Sequence, residues 1–194
     1  MNDNYARVTF LGTTNVGKTS LILKIADDSF DTYLENTVMV DFKRYQYSYN
    51  QQEIKLALWD TAGQETYRSI TTQYLRGSKF YILVCAVNDL HTLEELDYFM
   101  ELVHDKGDSG SKIFLLCNKY DLDESEHVIN CDKLEAFKKA NNIYEHYFVS
   151  AKSGEGIPEL LEMIAKVITG NNIFKNDLQT DAPEEADGNK KKCC

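Results

Sequence analysis

Apolar and polar positions alternate with two different periods along this chain, and the switches between them mark out its elements. Val8 to Leu11 is a short apolar run that alternates as a strand does, predicting a strand over Tyr5–Leu11. Leu21-Ile22-Leu23-Lys24-Ile25-Ala26 follows with the bulk of a buried helix, predicted over Lys18 to about Asp27. Asp28 to Thr37 is polar and aperiodic, long enough for a loop with a function. Val38 to Tyr49 reads as a strand with Tyr45, Tyr47 and Tyr49 on one face. Asn50-Gln51-Gln52 is a turn and Ile54–Trp59 the next strand. Two strands joined so tightly must be antiparallel.

From Asp60 onward strands alternate with helices: strands at Lys79–Val87, Lys112–Cys117 and Tyr147–Val149, helices at Thr92–Asp105, Asp132–Asn141 and Gly156–Ile168. Pro158 is tolerated in the first turn of the last helix. This rhythm predicts a three-layer α/β/α fold on a six-stranded, mostly parallel sheet with one antiparallel edge strand. Residues 1–170 form the predicted domain. Residues 171–194 have little to bury and read as a flexible tail ending in Cys193-Cys194.

Composition narrows the setting. The chain has 194 residues, 43% hydrophobic and 27% charged, enough for one domain with a full core. A net charge of −10 disfavours nucleic acid, and Lys190-Lys191-Lys192 is the longest basic run. No run of eighteen apolar residues predicts a membrane span, and the polar start Met1-Asn2-Asp3-Asn4 predicts no signal peptide. Cys85 and Cys117 fall in apolar runs and read as buried small hydrophobes, and Cys131 opens a helical stretch. A reducing compartment fits these thiols.

The chemistry begins at Gly12-Thr13-Thr14-Asn15-Val16-Gly17-Lys18-Thr19, which has the G-x-x-x-x-G-K-[ST] pattern of a phosphate-binding loop. Gly12 and Gly17 permit backbone angles that let successive N–H groups of Thr14, Asn15, Val16 and Ser20 turn toward phosphate oxygens. Lys18 would neutralise the terminal phosphates, and the Thr19 hydroxyl would ligate Mg²⁺. Asp60 closes the third strand in Asp60-Thr61-Ala62-Gly63-Gln64, where a carboxylate can hold Mg²⁺; Gly63 can offer its N–H to a γ-phosphate and Gln64 can orient water. Asn118-Lys119-Tyr120-Asp121 follows the fifth strand, and the Asp121 carboxylate can accept from the paired donors of guanine, which adenine lacks. The Lys119 stem can pack over the base. Ser150-Ala151-Lys152, after the last strand, would supply an N–H to the base carbonyl.

These four motifs, each at a strand end and in this order, resemble those of the small GTPases of the Ras superfamily, and within it the Rab family. Rab-like runs include Val40-Asp41-Phe42, Lys55 to Glu65, and Tyr67-Arg68-Ser69-Ile70-Thr71 leading to Tyr74-Leu75-Arg76-Gly77. The resemblance covers about Tyr5 to Ile168 and implies the fold of a P-loop NTPase. It implies GTP and GDP as ligands with Mg²⁺, and a membrane-associated switch regulating vesicle traffic by hydrolysing GTP. It further implies that Thr37 ligates Mg²⁺ when the γ-phosphate is present and that Phe30 packs against guanine. Effectors, an exchange factor, an activating protein, a dissociation inhibitor and a prenylation escort are the implied partners. Phe42, Trp59 and Tyr74 are either partner-reading or plain packing residues. Cys193-Cys194 resembles the double-prenylation signal, placing the protein on the cytoplasmic face of intracellular membranes with a cytosolic pool. Three tail lysines alone would hold too weakly for stable attachment.

Three departures from the family stand out. Met39 replaces a Gly before Val40-Asp41-Phe42, and Leu34 stands where a Tyr usually covers the phosphates, with Tyr33 adjacent. Thr13, Thr14 and Asn15 fill the loop's variable positions, where the family commonly has a Gly just before the Val. They predict altered partner choice and slow intrinsic hydrolysis, with Gln64 arguing against a dead enzyme. A GTP-locked binding module remains the alternative. A phosphate-loop kinase is a further rival, which Asp121 opposes.

Overall fold

The computed structural model describes residues 5–31, 41–61 and 75–170. Six strands form one sheet: β1 (Ala6–Leu11), β2 (Asp41–Tyr49), β3 (Gln52–Asp60), β4 (Ser78–Ala86), β5 (Lys112–Asn118) and β6 (Glu145–Phe148). Their order is β2-β3-β1-β4-β5-β6, and only the edge strand β2 runs antiparallel to its neighbour. The helices are α1 (Lys18–Asp27), α2 (His91–Glu94), α3 (Leu96–Lys106), α4 (Cys131–Ala140) and α5 (Ile157–Gly170).

Alternation along the strands divides the core in two. Phe80, Ile82 and Val84 of β4 join Val8, Phe10, Leu56 and Phe114 on one face, under Leu21 and Ile25 of α1 and Leu160 and Ile164 of α5. Tyr81, Leu83 and Cys85 point the other way and meet Leu96, Phe99 and Val103 of α3 and Leu134 of α4. Strands sandwiched between helices are apolar on both faces, which is why β4 is buried nearly from end to end. The edge strand β2 alternates, with the expected tyrosine face: Tyr45, Tyr47 and Tyr49 pack partly buried against the first core half. Its connection to β3 is a two-residue turn in which Asn50 (φ 47°) and Gln51 (φ 63°) are both left-handed, matching the twist of the hairpin.

Two elements differ from the sequence pattern. The helix expected over Thr92–Asp105 is interrupted at Glu95. Its first turn is pinned to the end of β4, where the Thr92 hydroxyl donates to the Asp89 carbonyl (2.6 Å) and accepts from the Ala86 N–H (2.9 Å). The backbone of Glu95 stays right-handed (φ −65°, ψ −14°), so the axis continues through the break. The last strand begins at Glu145, two residues before the expected Tyr147. Its first positions, Glu145 and His146, are polar on a half-covered edge, so hydrophobicity does not announce them.

Every parallel strand points its carboxyl end toward the same rim. That rim carries the loop after β1, Asp60 at the end of β3, Asn118 at the end of β5 and Ser150 just beyond β6.

Candidate functional site

The loop from Gly12 to Gly17 leaves β1 and enters α1 without a side-chain cap; Gly17, at φ 93°, turns the chain into the helix. A Cβ on Gly12 would lie 2.4 Å from the Val84 carbonyl, and one on Gly17 would lie 2.3 Å from Asn118 Nδ2. These two glycines are there because β4 and β5 press against the loop. Asn15 adopts φ 61°, a left-handed conformation that Asn tolerates better than most residues. Val16 is fully buried and anchors the loop in the core; Thr14 is part-buried and Asn15 exposed. The buried Thr13 hydroxyl has no hydrogen-bond partner among the described residues.

Lys18 is 6% exposed, and its ammonium donates to the carbonyls of Gly12 (2.9 Å) and Thr13 (2.7 Å). Burial pushes its pKa down to about 8, while the Asp60 carboxylate pulls the other way. A buried ammonium held by two carbonyls beside one carboxylate can take further anionic partners, and a polyphosphate would supply them. Beside it the Thr19 hydroxyl donates to Asp60 Oδ2 at 2.6 Å. Asp60 is itself 5% exposed at the end of β3. Ser20 sits part-buried in the first turn of α1. The Thr19–Asp60 pair is a set of hard oxygens. It suits Mg²⁺, which takes one or two protein oxygens and completes its shell with phosphates and water.

A second group closes the rim. Asn118, 2% exposed, donates from Nδ2 to the Val16 carbonyl (2.8 Å), and its Oδ1 accepts from the Ala151 N–H (3.1 Å). One side chain thereby joins the phosphate loop to the Ser150 loop. Lys119 is left-handed (φ 66°), which reverses the chain after β5 and brings Asp121 around. Asp121 Oδ1 accepts from the Ser150 hydroxyl at 2.6 Å, and Lys152 Nζ lies 3.6 Å from Asp121 Oδ2. The Ser150 oxygen accepts in turn from the N–H groups of Lys152 and Ser153 (3.2 and 3.0 Å). The carboxylate is therefore oriented by a hydroxyl and flanked by a cation. Phe30 lies past α1 and is 40% exposed.

The structure thus brings Lys18, Thr19 and Asp60 together, and Asn118, Asp121, Ser150, Ala151 and Lys152 together, with Asn118 linking the groups. Thr37, Gly63, Gln64, Cys193 and Cys194 lie outside the described residues. Sequence motifs alone missed two features. One is the linking role of Asn118. The other is Ser150 acting through its hydroxyl on Asp121, where a backbone role was expected. Long-range partners decide both.

A mostly parallel sheet with a phosphate loop at the end of its first strand and a carboxylate at the end of its third is the P-loop NTPase fold. Comparison with known proteins narrows this. The sequence model of the Ras family matches residues 7–170. Ras-related protein Rab-13 of Canis lupus familiaris is 34% identical over 167 residues, covering 86% of this chain and 81% of the relative. Ras-related protein SEC4 of Saccharomyces cerevisiae is 32% identical over 166 residues, covering 86% and 76%. Ras-related protein Rab-3C of Bos taurus is 31% identical over 179 residues, covering 92% and 77%. The chain belongs to the Rab family of Ras-type small GTPases. It is a GTPase that binds GTP and GDP and works in vesicle trafficking, with effectors, exchange factors, activating proteins and a dissociation inhibitor as its kinds of partner.

Proposed function

We propose that residues 1–170 carry a switch whose guanine nucleotide lies across the rim, phosphates in the Gly12–Ser20 loop and base at Asn118–Asp121 and Ser150–Lys152. The observation that carries this reading is the Thr19–Asp60 contact of 2.6 Å beside the buried Lys18. In the reaction, a water oriented by Gln64 attacks the γ-phosphate in line, and β-phosphate oxygen leaves. Lys18 and the loop N–H groups, with that of Gly63, hold the charge that develops on the phosphate oxygens. Thr19, Thr37 and Asp60 would hold Mg²⁺, which supplies further neutralisation of that charge when bound. Phe30 and Lys119 flank the base, and Asp121 selects guanine. Thr14 and Asn15 near the γ-phosphate slow intrinsic hydrolysis, leaving a partner to accelerate it.

Residues 171–194 form the carrier of two lipids at Cys193 and Cys194, attached with a prenylation escort. No helix among the described residues is long and apolar enough to cross a membrane. Two prenyl chains would hold the anionic protein on the cytoplasmic face of an intracellular membrane, and a dissociation inhibitor would withdraw it to the cytosol.

The test is Mg²⁺-dependent binding of fluorescent GTP, GDP and ATP to wild type and Asp121→Asn, followed by single-turnover hydrolysis. Guanine binding weakened by Asp121→Asn, with slow hydrolysis abolished by Gln64→Leu, is expected. Guanine binding without hydrolysis, even with an activating partner, would leave a locked binding module. Equal affinity for ATP would remove the base selection.

A further inference from the structure

Directly opposed residues of an antiparallel hairpin share a face, and on one side of β2 and β3 these pairs are Phe42–Trp59, Arg44–Ala57, Gln46–Lys55 and Ser48–Glu53. Among the described residues, none of β2 or β3 belongs to the core half under α3 and α4, and Phe42, Arg44, Gln46 and Ser48 of this face are exposed. It is built as cations on rings. The Arg7 guanidinium lies 3.8 Å from the centre of the Trp59 ring, and Arg44 lies 5.3 Å from that of Tyr5. Phe42, 45% exposed, stacks on Trp59 at 5.0 Å, and Gln46 donates to the Tyr5 hydroxyl. Lys55 pairs with Glu53 at 3.2 Å and Arg7 also donates to the Arg76 carbonyl at 2.7 Å, so the described part of this face keeps a net positive charge through Arg7 and the exposed Arg44, although the whole chain carries −10.

The opposite charge lies in the chain itself. Residues 177–187 hold Asp177, Asp181, Glu184, Glu185 and Asp187 and no basic residue. They follow α5, which runs beside β2 toward the hairpin turn: the Tyr47 hydroxyl donates to the Leu161 carbonyl at 2.7 Å, and further along Lys166 feels Tyr49. From Gly170, ten residues reach up to about 35 Å. The hairpin is about 30 Å long. Residues 171–180 therefore suffice to round the turn and set 181–187 beside Lys55 and Arg44.

We propose that the acidic segment Asp181–Asp187 docks in cis on the Arg7–Arg44–Lys55 face of the β2–β3 hairpin and covers the Phe42–Trp59 stack. Resting on the reading of Phe42 and Trp59 as partner-reading residues, this makes the tail a competitor that effectors must displace. The tether gives an effective concentration of about a millimolar, and exposed charge pairs are individually weak, so the docked population is partial and salt-sensitive.

Trp59 is the only tryptophan, so its fluorescence reports on this face alone. Acrylamide quenching is measured on the full chain at low and high NaCl, for wild type, Arg44→Glu, and a tail variant with Asp181→Asn, Glu184→Gln, Glu185→Gln and Asp187→Asn. At low salt the wild type is expected to quench about twofold less than either variant, with the difference gone at high salt. Pairing Arg44→Glu with Glu184→Lys and Glu185→Lys should restore protection. Equal quenching of wild type and tail variant at low salt overturns the proposal. So does a free peptide of residues 178–189 protecting wild type and tail variant at the same concentration, since that leaves the face open to an acidic partner in trans. Guanine binding, measured in parallel, is expected to be the same in all variants and tests the nucleotide reading separately.

Discussion

Asn118 shows how much of a ligand site one residue can organise. Its amide satisfies the Val16 carbonyl and the Ala151 N–H, both buried. Asn118→Ala would leave both unmet, and stranded buried groups cost about 1–3 kcal/mol each. The expected loss is about 2–6 kcal/mol in the urea unfolding of the nucleotide-free protein, with guanine affinity falling as well. Asn118→Asp keeps the acceptor toward Ala151 but sets a buried carboxylate oxygen against the Val16 carbonyl, so it should cost at least as much as Ala at neutral pH. Asn15 makes the opposite case. Its φ of 61° is one Gly adopts freely, so Asn15→Gly relieves local strain while loosening the unfolded chain. The two effects oppose each other, and the expected change in unfolding free energy is within about 1 kcal/mol. On the proposed placement of the γ-phosphate, single-turnover hydrolysis should rise in the same variant, because a side chain is withdrawn from beside it.

At the scale of elements, the outer strand β6 is held to α4 by a short contact between Lys138 and Glu145, whose carboxylate also accepts from the His146 N–H at 3.0 Å. Partial burial raises the Glu145 pKa, but the bonds from Lys138 and His146 more than offset it, leaving the group below its ordinary 4.5. A carboxylate depressed in the folded state binds fewer protons there than when unfolded. Its contribution is therefore present above pH 4.5 and lost as pH falls through the lowered value. Glu145→Gln should cost under about 1 kcal/mol at neutral pH, since the side chain is a third exposed. Thermal midpoints of variant and wild type should converge in acid; a gap that persists there would assign the effect to packing. On the other edge, Tyr47→Phe removes the bond from β2 to the Leu161 carbonyl, at a cost of about 1 kcal/mol.

At the scale of the molecule, what was legible in the sequence follows from where each signal is stored. Apolar runs such as Phe80–Val84 and Phe114–Cys117 announce strands because both their faces are buried. The hairpin was legible from its tight turn, and the rim from motifs that sit at strand ends. The start of β6 was not, because a polar edge strand has no hydrophobic period. Nor was the break at Glu95, which depends on Thr92 reaching back to β4. Arg7 on Trp59 joins residues far apart in sequence, which no local pattern encodes. The same layering orders the sheet's stability. The amides of β1 and β4 lie between hydrogen-bonded neighbours, and β4 is also packed under helices on both faces, whereas β2 and β6 each have one neighbour. Hydrogen exchange should therefore be slowest in β4, reporting global unfolding, and faster in β2 and β6 through partial opening. A nucleotide at a thousandfold its dissociation constant stabilises the folded state by about 4 kcal/mol, slowing globally exchanging amides about a thousandfold. Because Val16, Asn118 and Ala151 are tied together, GDP should slow exchange in the phosphate loop and in the 118–121 and 150–152 loops in one step. Amides that open in β2 without disturbing that tie should be slowed far less. Protection gained by the phosphate loop but not by the 150–152 loop would mean that the Asn118 link does not couple the phosphate and base ends of the site.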